Sequence, residues 1–141
     1  MTPRKKPQAP KPASRPKILI VDDDPAIREI LATQMGRLDY ATATASDGEE
    51  AVRVFRAESP DLVIMDLMMP KIDGLAACKR IRALEEKKGR RTPVLFLTAR
   101  DTSHDRLSSA LSGGDDFVSK PISLQELCVR VEAALGRKKW D

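Results

Sequence analysis

Four short apolar runs, at residues 18–21, 62–65, 94–97 and 117–118, punctuate the chain and carry almost no polar alternation. Runs of Val, Ile, Leu and Phe without a polar face are the mark of strands buried on both sides. Between them the apolar positions fall at helical spacing. Residues 26–38 set Ile27, Ile30, Leu31, Met35 and Leu38 on one stripe, with Asp24 placed to cap the helix and Pro25 in its first turn. Asp47 opens a second helix carrying Ala51, Val52, Val54 and Phe55, and Pro60 closes the approach to the next strand. Residues 75–84 form a third helix and 106–111 lie in a fourth. Ser123 opens a fifth, with Leu124, Leu127, Cys128, Val131 and Leu135 facing inward and Glu126 at capping-box spacing. Strands and helices in alternation, joined by right-handed crossovers, predict a doubly wound α/β fold: five parallel strands covered on both faces by five helices.

Composition narrows this to one domain. A chain of 141 residues with 41% hydrophobic content builds one sizeable core and has no room for a second of ordinary size. No apolar run approaches the roughly 20 residues of a membrane span, and the basic, Pro-rich start lacks the apolar segment of a secretion signal. A cytoplasmic location with no membrane insertion is the expectation. The net charge of +4 is concentrated at the ends: residues 1–16 carry +5, residues 137–141 carry +2, and residues 17–136 carry −3. The leader, residues 1–16 with prolines at 3, 7, 10, 12 and 16, reads as extended and disordered. The last five residues form a short basic tail. Without aromatics interleaved for base stacking, the leader gives no expectation of direct nucleic-acid binding. Cys78 and Cys128 have no metal-ligand spacing around them and read as reduced thiols.

The candidate chemistry stands just past the apolar runs. Asp22 and Asp23, Asp66, Thr98 and Lys120 each follow one, and a parallel sheet gathers ligands at the carboxyl ends of its strands. A carboxylate attacking phosphorus meets a group that is itself negative, and a divalent cation relieves that repulsion. Mg²⁺ takes near-octahedral oxygen ligands through one or two carboxylates, waters and phosphate. Asp23 and Asp66, helped by Asp22 and by the main-chain carbonyl of Met68, supply such a site. Lys120 offers an ammonium to one phosphoryl oxygen and Thr98 a hydroxyl to another, which is catalysis by positioning and charge. His104, among polar residues at a helix start, reads as a solvated side chain.

Four motifs in this order and spacing, ILIVDDD at 18–24, DLVIMDLMMPKIDG at 61–74, VLFLTAR at 94–100 and GGDDFVSKP at 113–121, resemble the receiver domain of two-component response regulators across residues 17–136. The resemblance implies a flavodoxin-like sheet of strand order 2-1-3-4-5. It implies that Asp66 takes a phosphoryl group from a sensor histidine kinase or a histidine phosphotransfer protein, with Asp22, Asp23 and the Met68 carbonyl serving Mg²⁺. It makes Phe117 an aromatic switch that turns inward when Thr98 is drawn to the acyl phosphate, and the Lys120–Pro121 bond cis. It also implies an output partner that the sequence does not identify, or a homodimer through residues 102–136, with Arg106–Glu126 and Asp116–Arg130 as cross-subunit pairs. Such a protein is not an enzyme on external substrates; it promotes only its own phosphoryl transfer and autodephosphorylation. Two departures stand out. Gly113–Gly114 replaces the family's frequent Gly-Ala and is expected to loosen that turn, and residues 85–91 (EEKKGRR) make a longer, highly charged connection that reads as a partner surface or, more simply, as a solvated helix end.

Two other classes share these residues. A Mg²⁺-dependent phosphohydrolase with an aspartyl-phosphate intermediate expects a second Asp two residues past the nucleophile, where Met68 stands. A phosphorylation-independent interaction module has no need of all five polar groups.

Overall fold

The structure, a computed structural model, describes residues 15–136. The tail at 137–141 and all of the leader but Arg15 and Pro16 lie outside the described residues. Arg15 already meets Asp39, and the Pro16 carbonyl accepts from Ala41 N at 2.9 Å.

Five strands and five helices alternate: β1 (Lys17–Val21), α1 (Pro25–Arg37), β2 (Ala41–Ala45), α2 (Gly48–Glu58), β3 (Leu62–Met65), α3 (Gly74–Glu86), β4 (Val94–Thr98), α4 (Ser103–Leu111), β5 (Asp116–Ser119) and α5 (Leu124–Gly136). All pairings are parallel, in the order β2-β1-β3-β4-β5. The alternation of side chains along each strand splits the core into two layers. Leu19, Val21, Val63, Met65 and Phe96 pack with Ala51, Phe55, Ala77 and Ile81 on the α2/α3 face. Ile18, Ile20, Ile64, Leu95 and Leu97 pack with Leu31, Met35, Leu127 and Val131 on the α1/α5 face.

The helices begin where side-chain oxygens meet their first free N–H groups. Asp24, Asp47 and Asp73 accept from Ala26, Glu50 and Ala76 at 2.9, 2.8 and 2.9 Å. Ser123 Oγ accepts from Glu126 N, but the Glu126 carboxylate turns to Arg130, so only half of the expected capping box forms. The complete box is at α4, between Thr102 and Asp105.

Several expectations are corrected. Within α1 only Leu31 and Met35 are buried; Ile30 is 51% exposed, and Leu38 lies outside the helix as its cap. Leu124 is likewise at the surface. β2, ATATA, alternates more and less exposed positions at the sheet edge and gives no apolar run. Glu85 is buried rather than solvated, its carboxylate held by Arg82 and by Thr92 N. Gly114 marks a close approach, not a loose turn: a Cβ there would lie 2.6 Å from the Phe96 ring. The cross-subunit pairs are not among these corrections: within the one chain described, Asp116 and Glu126 pair with Arg130 and Arg106 pairs with Asp101.

Candidate functional site

The carboxyl edge of the sheet is where the ladder runs out and side chains turn to solvent. Asp22 N still donates to Ala45 O at 3.2 Å and Asp66 N to Val21 O at 3.1 Å, which fixes the backbone of both acids beside each other. On the other side Lys120 N donates to Thr98 O at 2.8 Å. The Lys120–Pro121 bond is cis.

Lys120 Nζ lies 2.9 Å from Asp22 Oδ2 and 3.0 Å from Asp66 Oδ2, bridging two carboxylates that are nearly covered by protein. The other oxygens are held by the backbone: Asp24 N donates to Asp22 Oδ1 at 2.9 Å and Met68 N to Asp66 Oδ1 at 3.2 Å. Asp23 is exposed beside them, and one oxygen from each of Asp22, Asp23 and Asp66 falls within 4.8 Å of the others. Three carboxylates therefore cluster here, and one ammonium bonds to two of them. Burial alone would lower the Lys120 pKa, but the hydrogen bonds and charges of Asp22 and Asp66 outweigh it and raise it, so the lysine stays charged. An all-oxygen donor set with surplus negative charge fits a hard divalent cation such as Mg²⁺ and would not suit a soft one.

Asp23 opens onto a shallow basin of about 410 Å³ that it rims with Leu67, Met68, Met69, Asp73 and Arg100. Met68 is 57% exposed there. Thr98 is buried at the end of β4, its Oγ1 accepting from Arg100 N at 3.2 Å; no hydrogen bond joins it to the acids among the described residues. Phe117, half-buried on β5, lies under the Arg106 guanidinium, which stands 4.7 Å from the ring centroid. Arg106 is held by Asp101 at 2.6 Å and by Ser119 at 3.2 Å, and Ser119 also donates to Asp101. The structure thus unites Asp22, Asp23, Asp66 and Lys120, with Thr98 joined to Lys120 through the backbone and Phe117 on β5 beneath Arg106. His104 is exposed, and Cys78 and Cys128 are free thiols.

Two further residues shape the site. Arg28 Nη1 donates to the Asp22 carbonyl at 2.7 Å, yet in sequence it is only a helix-surface arginine. Gly74 lets the loop after β3 close on Asp66, since a Cβ would lie 2.3 Å from the Asp66 carbonyl oxygen.

The model of the response regulator receiver domain matches residues 18–132. The probable transcriptional regulator ycf27 of Guillardia theta is 45% identical over 124 residues, covering 88% of this chain and 47% of that protein. The chain spans about half the length of the curated relatives it matches. Among solved structures, a putative response regulator from Chloroflexus aurantiacus superposes with a TM-score of 0.79 at 34% identity, over 87% of this chain and 99% of that one. The co-crystal structure of the Saccharomyces cerevisiae phosphotransfer protein Ypd1 with the receiver domain of its response regulator Ssk1 gives a TM-score of 0.78 at 28% identity, over 85% of this chain and 88% of that one. No helix among the described residues is long and apolar enough to cross a membrane.

Proposed function

The chain belongs to the response regulator receiver domain family, and on that premise we propose that Asp66 is its phosphoacceptor, charged by a histidine kinase or histidine phosphotransfer protein in the cytoplasm. The observation that supports this most is the acidic trio of Asp22, Asp23 and Asp66, with Lys120 bridging Asp22 and Asp66 and Asp23 on the rim of an open basin. Asp66 Oδ attacks the phosphorus of a phosphohistidine, the N–P bond breaks as the O–P bond forms, and the imidazole leaves with the electron pair. Mg²⁺, when bound, neutralises charge between the carboxylates and the transferring phosphoryl group. Asp22, Asp23 and the Met68 carbonyl are its proposed ligands beside Asp66. Lys120 exchanges its bond to Asp66 for one to a phosphoryl oxygen, remaining anchored by Asp22. Thr98 supplies a hydroxyl donor to another oxygen, and that pull on the end of β4 gives Phe117 room to turn inward. Through this change the face built by α4, β5 and α5 would signal to an output partner or a second copy. The protein acts as a phosphorylated signal carrier rather than on external substrates.

Incubation with acetyl phosphate and Mg²⁺, read by intact mass, tests the acceptor. One metal-dependent, alkali-labile phosphoryl group is expected, absent in Asp66→Asn. Labelling that persists in Asp66→Asn assigns the acceptor elsewhere. If kinase-delivered phosphate also fails to label the wild type, the chain is a binding module.

A further inference from the structure

The connection at 85–91 is exposed except for the buried Glu85, lies away from the phosphoryl site, and shapes a narrow cleft at the opposite edge of the sheet. Gly89, at φ +66°, turns the chain after α3 so that Arg90 returns to donate to Pro60 O at 3.0 Å. Ser59, the left-handed cap of α2, lies alongside. Between the ends of α2 and α3 this leaves a cleft of about 130 Å³, lined by Phe55, Arg56, Ser59, Leu84, Lys88 and Arg90, with Glu85 behind them.

Its floor is apolar and its rim is cationic. Phe55 and Leu84 are the floor; Arg56, Lys88 and Arg90 stand exposed around it and form no ion pair among the described residues. Glu85 is the acid that lines the cleft, and both its oxygens are already engaged by Arg82 and Thr92 N. We propose that this cleft is a docking site for an acidic segment of a partner protein that inserts one leucine- or phenylalanine-sized side chain between flanking carboxylates. A cavity of about 150 Å³ takes a benzene ring, so the space fits one such group and no more. Charge complementarity selects the occupant: the chain's own ends, at +5 and +2, would be repelled by the rim. The cleft sits before β3 and β4, whereas Asp66 and Thr98 follow them, so docking is independent of phosphorylation and leaves the α4/β5/α5 face free.

The cations have a competing explanation, compensation of the two helix C-terminal dipoles that end here. The test separates the two. A fluorescein-labelled peptide, Glu-Asp-Glu-Leu-Asp-Glu, is titrated into the full chain by anisotropy, with amide shifts mapped by NMR. Saturable, salt-sensitive binding with shifts at residues 55–59 and 84–90 is expected, equal in Asp66→Asn. Replacing the peptide leucine by serine should weaken it about tenfold or more, the loss of one buried leucine. The double variant Arg56→Glu, Lys88→Glu should weaken it by a further factor of about ten through lost attraction and added repulsion. Should that variant not fold, Arg56→Gln, Lys88→Gln is used, with a smaller loss in the same direction. Absence of saturable binding, equal affinity for the serine peptide, shifts confined to other surfaces, or variants that change only the melting temperature would each overturn the proposal. Because Asp66→Asn keeps this binding, its failure and failure of the phosphoacceptor reading are distinguishable.

Discussion

The two edges of the same sheet handle clustered charge in opposite ways. At the carboxyl edge Asp22, Asp23 and Asp66 cluster, the single ammonium of Lys120 bridges Asp22 and Asp66, and Asp23 rims a basin. At the amino edge Arg82 and Arg91 face Glu85 and Asp115, two against two, with bonds of 2.6 to 2.7 Å. Arg82 also donates to the Gly113 carbonyl at 2.7 Å and to the Thr92 carbonyl at 2.7 Å, and Asp115 accepts from Val94 N at 2.8 Å. The balanced network ties α3 to β4 and to the turn before β5. The unbalanced one is left short of positive charge where a cation and a phosphoryl group would supply and use it. A buried charge set that is complete belongs to the fold; one left incomplete is poised for a ligand.

The strongest test of this contrast is to unbalance the amino edge. Arg82→Ala would leave Glu85 buried without its cation and strip donors from two carbonyls, and is expected to cost about 3–5 kcal/mol, read from the urea midpoint. Adding Glu85→Gln should recover part of that loss by removing the orphaned charge. A loss under about 1 kcal/mol would make the network an ordinary surface cluster.

Sequence disclosed the two edges unequally. Strands buried on both faces read as unbroken apolar runs, so the residues that follow them, Asp22, Asp66, Thr98 and Lys120, fall at one edge by their position in the chain alone. β2 escaped that reading because alanine and threonine alternate at an edge strand that buries one face. The Arg82 network escaped it because its partners lie 3, 10, 31 and 33 residues away and include two backbone carbonyls. Composition made EEKKGRR look solvated, and only the turn at Gly89 brings Thr92 N onto Glu85. Gly114 looked permissive in sequence, yet the Phe96 ring leaves no room for a methyl there.

Supplying the missing charge at the carboxyl edge should give the next largest effect. Mg²⁺ at ten times its Kd should stabilise the wild type by about 1.4 kcal/mol through preferential binding to the folded chain. Asp23→Asn removes one carboxylate from an exposed position, so its metal-free stability should hold steady or rise as repulsion falls, while most of the Mg²⁺ increment disappears. Equal Mg²⁺ stabilisation in both proteins would place the cation away from this trio.

The smallest effect concerns the one ammonium that the acids already have. The folded Lys120 pKa is raised because bonds to Asp22 and Asp66 overcome the opposing effect of burial, while an unfolded lysine titrates near 10.4. The folded state therefore holds this proton more tightly, and stability falls with pH wherever it does so. Below about pH 10.4 the bridge contributes in full; above it the contribution fades as pH climbs through the higher folded value. Lys120→Met lacks this proton, so the stability difference between wild type and variant should be flat from about pH 7 to 10 and shrink toward about pH 12, by less than the Mg²⁺ effect. Tyrosine titration is common to both proteins and cancels in the difference. A difference that grows with pH would mean that burial dominates at Lys120 and that the acids do not hold it charged, and the incomplete edge would then have no fixed cation at all.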